Sequence, residues 1–166
     1  MSAPVDLLIH SAEQVATCAS PGGPKRGPAL ANAGIFEYGA IAVSDGLIVA
    51  VGPSDDLRAR YHAAHEIDAT GQAVCPGFVD PHTHVIYAGD RLGEFEMRIR
   101  GASYMEIMRA GGGIASTVRA TRNAPLEILV EETRARLVAM FRLGTTTAEV
   151  KTGYGLETAS EMQMLQ

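Results

Sequence analysis

The feature that most constrains this chain is a pair of histidines, His82 and His84, at the end of the run Phe78-Val79-Asp80-Pro81-His82-Thr83-His84. Residues i and i+2 of a strand point to one side, so both imidazoles can reach one ion. Neutral imidazole is a ligand for zinc and for other late first-row metals. Asp80 shares their parity, where it can orient a ligand or face the ion from behind a histidine. Pro81 stiffens the backbone between them. Alone, a His-x-His pair fits exposed or core histidines equally well. Its place after an apolar strand introduced by Pro76-Gly77 is what makes it a candidate metal pair.

The segments on either side differ in character. Residues 5–10 predict a short strand. Residues 18–34 predict a loop, broken by Pro21, Gly22, Gly23, Pro24, Gly27 and Pro28. Residues 38–43 and 47–51 are β-rich runs joined across Ser44-Asp45-Gly46, and Asp-Gly between apolar runs predicts a hairpin. Pro53-Ser54-Asp55-Asp56-Leu57 reads as a helix start with Ser54 as its cap. Residues 66–68 and 72–75 each predict a further short strand. Residues 1–75 thus read as a small β-rich domain.

From Pro76 onward the pattern becomes strand, helix, strand. A short helix is expected over 103–110, ended by Gly111-Gly112-Gly113. Pro125 suits the first position of the next helix. In that helix Leu126, Leu129, Val130, Leu137, Met140 and Phe141 recur at spacings of three and four. Gly144 stops it, and Thr145-Thr146-Thr147-Ala148-Glu149-Val150 is a β-branched strand. A βαβ unit favours parallel pairing. A last helix is expected from near Glu157, still running at Gln166. Two parallel strands do not close a (β/α)8 barrel, which needs about 200 residues or more, so the chain is expected to be a truncated piece of such an architecture.

Composition narrows the partners. A net charge of −5, with no basic run and aromatics at 5%, gives no platform for nucleic acid or anionic membrane. No apolar run approaches the roughly 18 residues of a membrane span, and the N-terminus lacks a signal-peptide pattern. The two cysteines, Cys18 and Cys75, make neither a CxxC pair nor a disulfide framework and suit a reducing compartment. Cytoplasm is the expected location.

Cys75-Pro76-Gly77-Phe78-Val79-Asp80-Pro81-His82-Thr83-His84 resembles the first barrel strand of the amidohydrolase superfamily. Within it, several segments resemble the imidazolonepropionases: Ala88-Gly89-Asp90-Arg91, Glu94-Phe95-Glu96, Gly101-Ala102-Ser103-Tyr104, Gly111-Gly112-Gly113-Ile114, Ser116-Thr117-Val118, Ala120-Thr121-Arg122 and Glu149-Val150-Lys151-Thr152-Gly153-Tyr154-Gly155-Leu156. Thr152 stands where many relatives carry Ser. The likeness is dense over 75–166 and loose before it. It implies an α/β fold: a small N-terminal β-sandwich-like domain (1–75), then the first βα units of an incomplete (β/α)8 TIM-type barrel (76–166). It also implies metal-dependent hydrolysis of the C–N bond of 4-imidazolone-5-propanoate to N-formimidoyl-L-glutamate.

The site implied has His82 and His84 as ligands of one zinc or iron ion, with Arg91 and Tyr154 binding substrate. A guanidinium suits a carboxylate that needs fixed orientation, and the substrate carries a propionate. The remaining ligands and the general base would lie beyond Gln166, so an isolated fragment is expected to be inactive and to bind metal weakly. The resemblance leaves room for a homodimer.

Other readings of the same residues stay open. Arg91 suits a surface ion pair, and Tyr154 suits loop packing. Tyr104 fits either a pocket wall or packing of its helix. Glu149 and Lys151 fit an ordinary ion pair. Asp90, Glu94 and Glu96 are expected as structural partners of Arg91. Gly111-Gly112-Gly113 is an anion nest or a mobile loop, with no Lys-Ser/Thr to make it a phosphate loop. His10, His62 and His65 read as surface or core residues. The chain as a whole also admits another amidohydrolase, such as a purine or cytosine deaminase, a non-catalytic structural metal site, and a binding module without metal.

Overall fold

The computed structural model describes residues 2–20 and 22–166. Pro21, one of the breakers read into the 18–34 loop, lies outside the described residues. The chain divides into two compact units, residues 1–76 and 77–166.

The first unit is built on one long strand, β1 (Ala3–Ala16). On one side it pairs antiparallel with β2 (Ile35–Ser44), which pairs antiparallel with β3 (Leu47–Pro53). On the other side β1 pairs in parallel with β4 (Tyr61–Asp68) and, further along, with β5 (Ala73–Val74). The two sheets expected of a sandwich-like domain are therefore one five-stranded mixed sheet. The reason is length: a strand of 14 residues has room for two successive parallel partners along one edge. The β2–β3 turn has Asp45 at φ 51° and Gly46 at φ 74°. Two positive φ angles define the turn whose twist suits a hairpin.

Helix α1 (Ser54–Arg60) follows β3, but Ser54 does not cap it. Pro53 takes the cap position, and the Ser54 hydroxyl instead accepts the Ser11 N–H at 3.0 Å. That N–H needs a partner because β1 bulges between Ile9 and Ala12, where Ser11 has φ 58°. Leu57 of α1 packs with Val5, Leu8, Ala40 and Ala42, and a second cluster joins Ala12, Val15 and Ala69. Burial of a side chain such as Leu8, 1% exposed, is worth about 1.5–3 kcal/mol.

The second unit runs β6 (Phe78–Thr83), α2 (Leu92–Ile99), α3 (Tyr104–Arg109), α4 (Ile114–Asn123), α5 (Leu126–Arg142), β7 (Thr145–Val150) and α6 (Thr158–Gln163). Strands β6 and β7 are parallel neighbours. The sequence reading missed α2 and α4, which lie in the Gly- and Arg-rich stretch. Ser103 accepts the Glu106 N–H and Glu106 accepts back from Ser103, a capping box that starts α3. Pro125 caps α5 from outside rather than opening it. Helix α6 ends at Gln163 and does not run on to Gln166. Along α5 only Leu129 is buried; Leu137 and Phe141 line an open apolar groove with Ile86 and Met164. Among the described residues no helix is long and apolar enough to cross a membrane.

Candidate metal and substrate site

The second unit brings β6 and β7 unusually close at one point. A Cβ on Gly77 would sit 2.2 Å from Thr146 Oγ1 and 2.8 Å from Thr146 Cβ, so only glycine fits there. Further along, Pro81 has no N–H to offer the ladder. The register is irregular between Asp80 and Thr83, and Asp80 accepts the His82 N–H at 3.2 Å. Pairing resumes at Thr83, whose hydroxyl donates to the Glu149 carbonyl at 2.9 Å and whose carbonyl accepts the Lys151 N–H at 2.8 Å.

On this anchored strand end the two imidazoles converge. The Nε2 atoms of His82 and His84 are 3.2 Å apart, with ring centroids at 5.2 Å. Two nitrogens each about 2.0–2.1 Å from a tetrahedral zinc are separated by about 3.3 Å. The pair therefore fits two corners of one coordination shell. Among the described residues no group of three or more His, Cys, Asp or Glu gathers to complete it. His84 Nδ1 is buried without a hydrogen-bond partner. The backbone of the loop after β7 lies across that ring: a Cβ on Gly153, at φ 144°, would come within 3.1 Å of His84 Cε1.

The same loop carries Tyr154, whose ring meets His84 edge-on at 5.7 Å and Tyr87 at 5.8 Å. Tyr87 also stacks against Arg136, whose guanidinium lies 3.6 Å from the ring centroid. Arg136 also donates to the carbonyls of Val85 (3.1 Å) and Tyr87 (2.7 Å) and pairs with Glu132. Tyr87, Gly89, Asp90, Arg91, Thr117 and Tyr154 line a recess of about 350 Å³, within the size range of small-molecule sites. The recess reaches the histidine pair through Tyr154, which packs on His84; the larger apolar groove along α5 is lined by neither histidine nor Tyr154.

Two groups outside the recess shape the Tyr154 loop. Arg122 Nε donates to the Gly155 carbonyl at 2.5 Å and its guanidinium pairs with Glu157 at 3.7 Å. The Glu161 carboxylate accepts the Leu156 N–H at 2.6 Å. The Thr152 hydroxyl, with the N–H groups of Leu156, Gly155 and Gly153, holds the Glu161 carboxyl below its ordinary value. Burial works against that shift without cancelling it.

Several expectations need correction or refinement. Of the three acids near Arg91 only Glu94 is its partner, at 3.9 Å. Asp90 accepts the Leu92 N–H at the start of α2, and Glu96 pairs with Arg100. Tyr104 is 65% exposed and does not line the recess of Arg91 and Tyr154. The Gly111-Gly112-Gly113 turn holds an anion from the chain itself: Gly113 N–H donates to Glu94 at 2.7 Å, and a Cβ on Gly112 would meet that carboxylate at 3.0 Å. Lys151 and Glu149 form an ion pair, which keeps the Glu149 carboxyl below its usual range. His10 is buried against Ser11 and Glu66, and His62 meets Ser2. Cys18 and Cys75 are both free and exposed.

Sequence reasoning did not single out Tyr87, Thr117, Arg122, Arg136 or Glu161. The Ser103-x-x-Glu106 box was a usable signal for α3. Nothing in local periodicity marks a buried threonine on a short polar helix.

Comparison with known proteins sets these features in context. Residues 39–64 match the family model for an imidazolonepropionase-like composite domain of bacteria. The chain is 58% identical over 162 residues to the imidazolonepropionase of Chloroflexus aggregans, covering 98% of this chain and 38% of that protein. It is 51% identical over 166 residues to that of Symbiobacterium thermophilum, covering 98% and 39%. The chain thus spans about two fifths of the length of these curated relatives. Among solved structures, an adenosine deaminase from Xanthomonas campestris with bound zinc shares the fold at TM-score 0.62 and 24% identity, covering 98% of this chain and 33% of that one. An atrazine chlorohydrolase from Arthrobacter aurescens, also with zinc, does so at 0.56 and 18%, covering 96% and 32%. The sequence likeness to these imidazolonepropionases extends over nearly the whole chain, the histidine strand and the loops around it included.

Proposed function

We propose that this chain supplies the metal-binding strand and part of the substrate site of an imidazolonepropionase, in the opening βα units of an amidohydrolase barrel. The reaction is hydrolysis of the ring C–N bond of 4-imidazolone-5-propanoate to N-formimidoyl-L-glutamate. The observation that carries this reading is the 3.2 Å approach of His82 and His84 Nε2 beside the recess lined by Arg91 and Tyr154. His82 and His84 would hold one metal ion. Zinc is the ion bound in the adenosine deaminase of similar fold, and imidazole also suits iron. Bound there, the ion supplies hydrolytic power at neutral pH by lowering the pKa of a coordinated water to about 7.

The protein's own contribution is orientation. Arg91 presents its guanidinium to the propionate, where charge and planarity fix the direction of the carboxylate. Tyr154 covers His84 and contributes its hydroxyl to the wall of the recess. The Gly153 backbone shields the back of the His84 ring from water.

The reading is tested by metal analysis and chelation of the full-length protein. Bound zinc or iron, loss of imidazolone-propanoate hydrolysis on chelation, and loss of the ion in His84→Ala are expected. Hydrolysis that persists after the ion is removed refutes it.

A further inference from the structure

We infer that one face of α4, formed by Thr117 and Thr121, is the device that orients Arg91 toward the substrate carboxylate, with Thr117 as the positioning residue. This rests on the reading of Arg91 as a substrate-binding group.

Arg91 sits in an exposed segment at the start of α2, where a long side chain loses rotamer entropy if it is to point one way. Its Nε–H donates to Thr117 Oγ1 at 3.0 Å. Glu94 stands 3.9 Å from the same nitrogen, and its carboxylate is itself pinned by the Gly113 N–H. Among the described residues no acceptor is hydrogen-bonded to the two terminal nitrogens of Arg91. The inner nitrogen is thus committed, and the terminal pair remains for a ligand in the recess that Arg91 and Thr117 both line. A terminal pair of amino groups can meet a carboxylate with two parallel hydrogen bonds.

The backbone leading to Arg91 is held by the next turn of the same helix. Thr121, four residues on and 3% exposed, accepts the Ala88 N–H at 3.2 Å. Gly89 has φ 78°, and a Cβ there would lie 2.9 Å from Ala120 Cβ. Two buried threonines one helical turn apart therefore fix first the main chain at Ala88 and then the side chain at Arg91. Thr117 is 8% exposed, and a buried hydroxyl on an amphipathic helix needs a partner; the guanidinium is that partner.

The test uses Thr117→Val in the full-length protein, since valine keeps the shape and removes the acceptor. We expect KM to rise about five- to tenfold, less than the more than tenfold cost of losing a hydrogen bond to a charged group outright because Thr117 acts on the substrate only through Arg91, while kcat changes by less than about twofold, as befits an effect on binding. The Kd of imidazole-4-propanoate, an unreactive carboxylate-bearing probe, should rise in parallel when measured by calorimetry on metal-free protein. Thr117→Ser should restore both values. If the valine variant does not fold, Thr117→Ala removes the same acceptor with a good helix former. In an Arg91→Ala background, Thr117→Val should add nothing. Normal binding in Thr117→Val, beside weakened binding in Arg91→Ala, overturns this inference and leaves the site reading standing. Additive effects of the two changes also overturn it, because Thr117 would then act independently of Arg91. No effect of Arg91→Ala overturns the site reading itself, and this inference with it.

Discussion

Arg136 is the residue whose removal the structure lets one price in detail. Its guanidinium donates to the Val85 and Tyr87 carbonyls and stacks 3.6 Å from the centroid of Tyr87. Each hydrogen bond from a charged donor contributes about 1.5–3 kcal/mol. The cation–π contact adds about 0.5–1 kcal/mol at a partly exposed position. The pair with Glu132, one helical turn away with its side chain 38% exposed, adds about 0.3–0.5 kcal/mol. These terms share one side chain and do not add. The Arg136 side chain is 23% exposed, so water can reach the freed carbonyls and return part of the loss. Arg136→Met, which keeps the apolar stem, should therefore cost about 2–3 kcal/mol.

The assay is urea unfolding of the full-length protein, reading the midpoint at constant m-value. Arg136→Lys should recover only a small part, since one ammonium cannot reproduce a planar fork that reaches two carbonyls and stacks on a ring. A cost below about 0.5 kcal/mol, the range of ordinary surface substitutions, would refute the argument. So would a lysine variant as stable as the parent.

Two further outcomes follow from the same unit. The Glu161 carboxyl is held below its ordinary value in the folded chain. Its contribution to stability is therefore present above the unfolded value of about 4.3 and lost as pH falls through the folded value. Glu161→Gln should flatten that acid limb of the stability curve, and an unchanged limb would sink the assignment. Gly77→Ala forces a methyl into Thr146 and should cost about 1–3 kcal/mol, as overpacking does. Thr146→Ala in the same chain should recover part of that loss, because the remaining Cβ still lies within 2.8 Å; a Gly77→Ala variant with an unshifted midpoint would show that the strands separate freely.

By itself the sequence determined the local elements whose signals are short in range. Asp45-Gly46 specified its hairpin through two positive φ angles. The β-branched run at 145–150 specified a strand. The spacing of His82 and His84 specified that two imidazoles share a side. These follow from steric limits on a few consecutive residues, and no partner is needed to impose them. Local spacing did not determine α2 or α4, because each is ten residues or shorter and the glycines around them interrupt any longer apolar repeat.

Only the tertiary structure decided what those elements do to one another. It placed Ser54 on the β1 bulge instead of on its own helix. It turned the triple glycine into a seat for Glu94, and it put Thr117 against Arg91 across 26 residues of chain. The physical reason is the same in each case. A buried donor or acceptor takes whichever partner packing brings within about 3 Å, and that partner is set by the approach of distant segments, which no local pattern records.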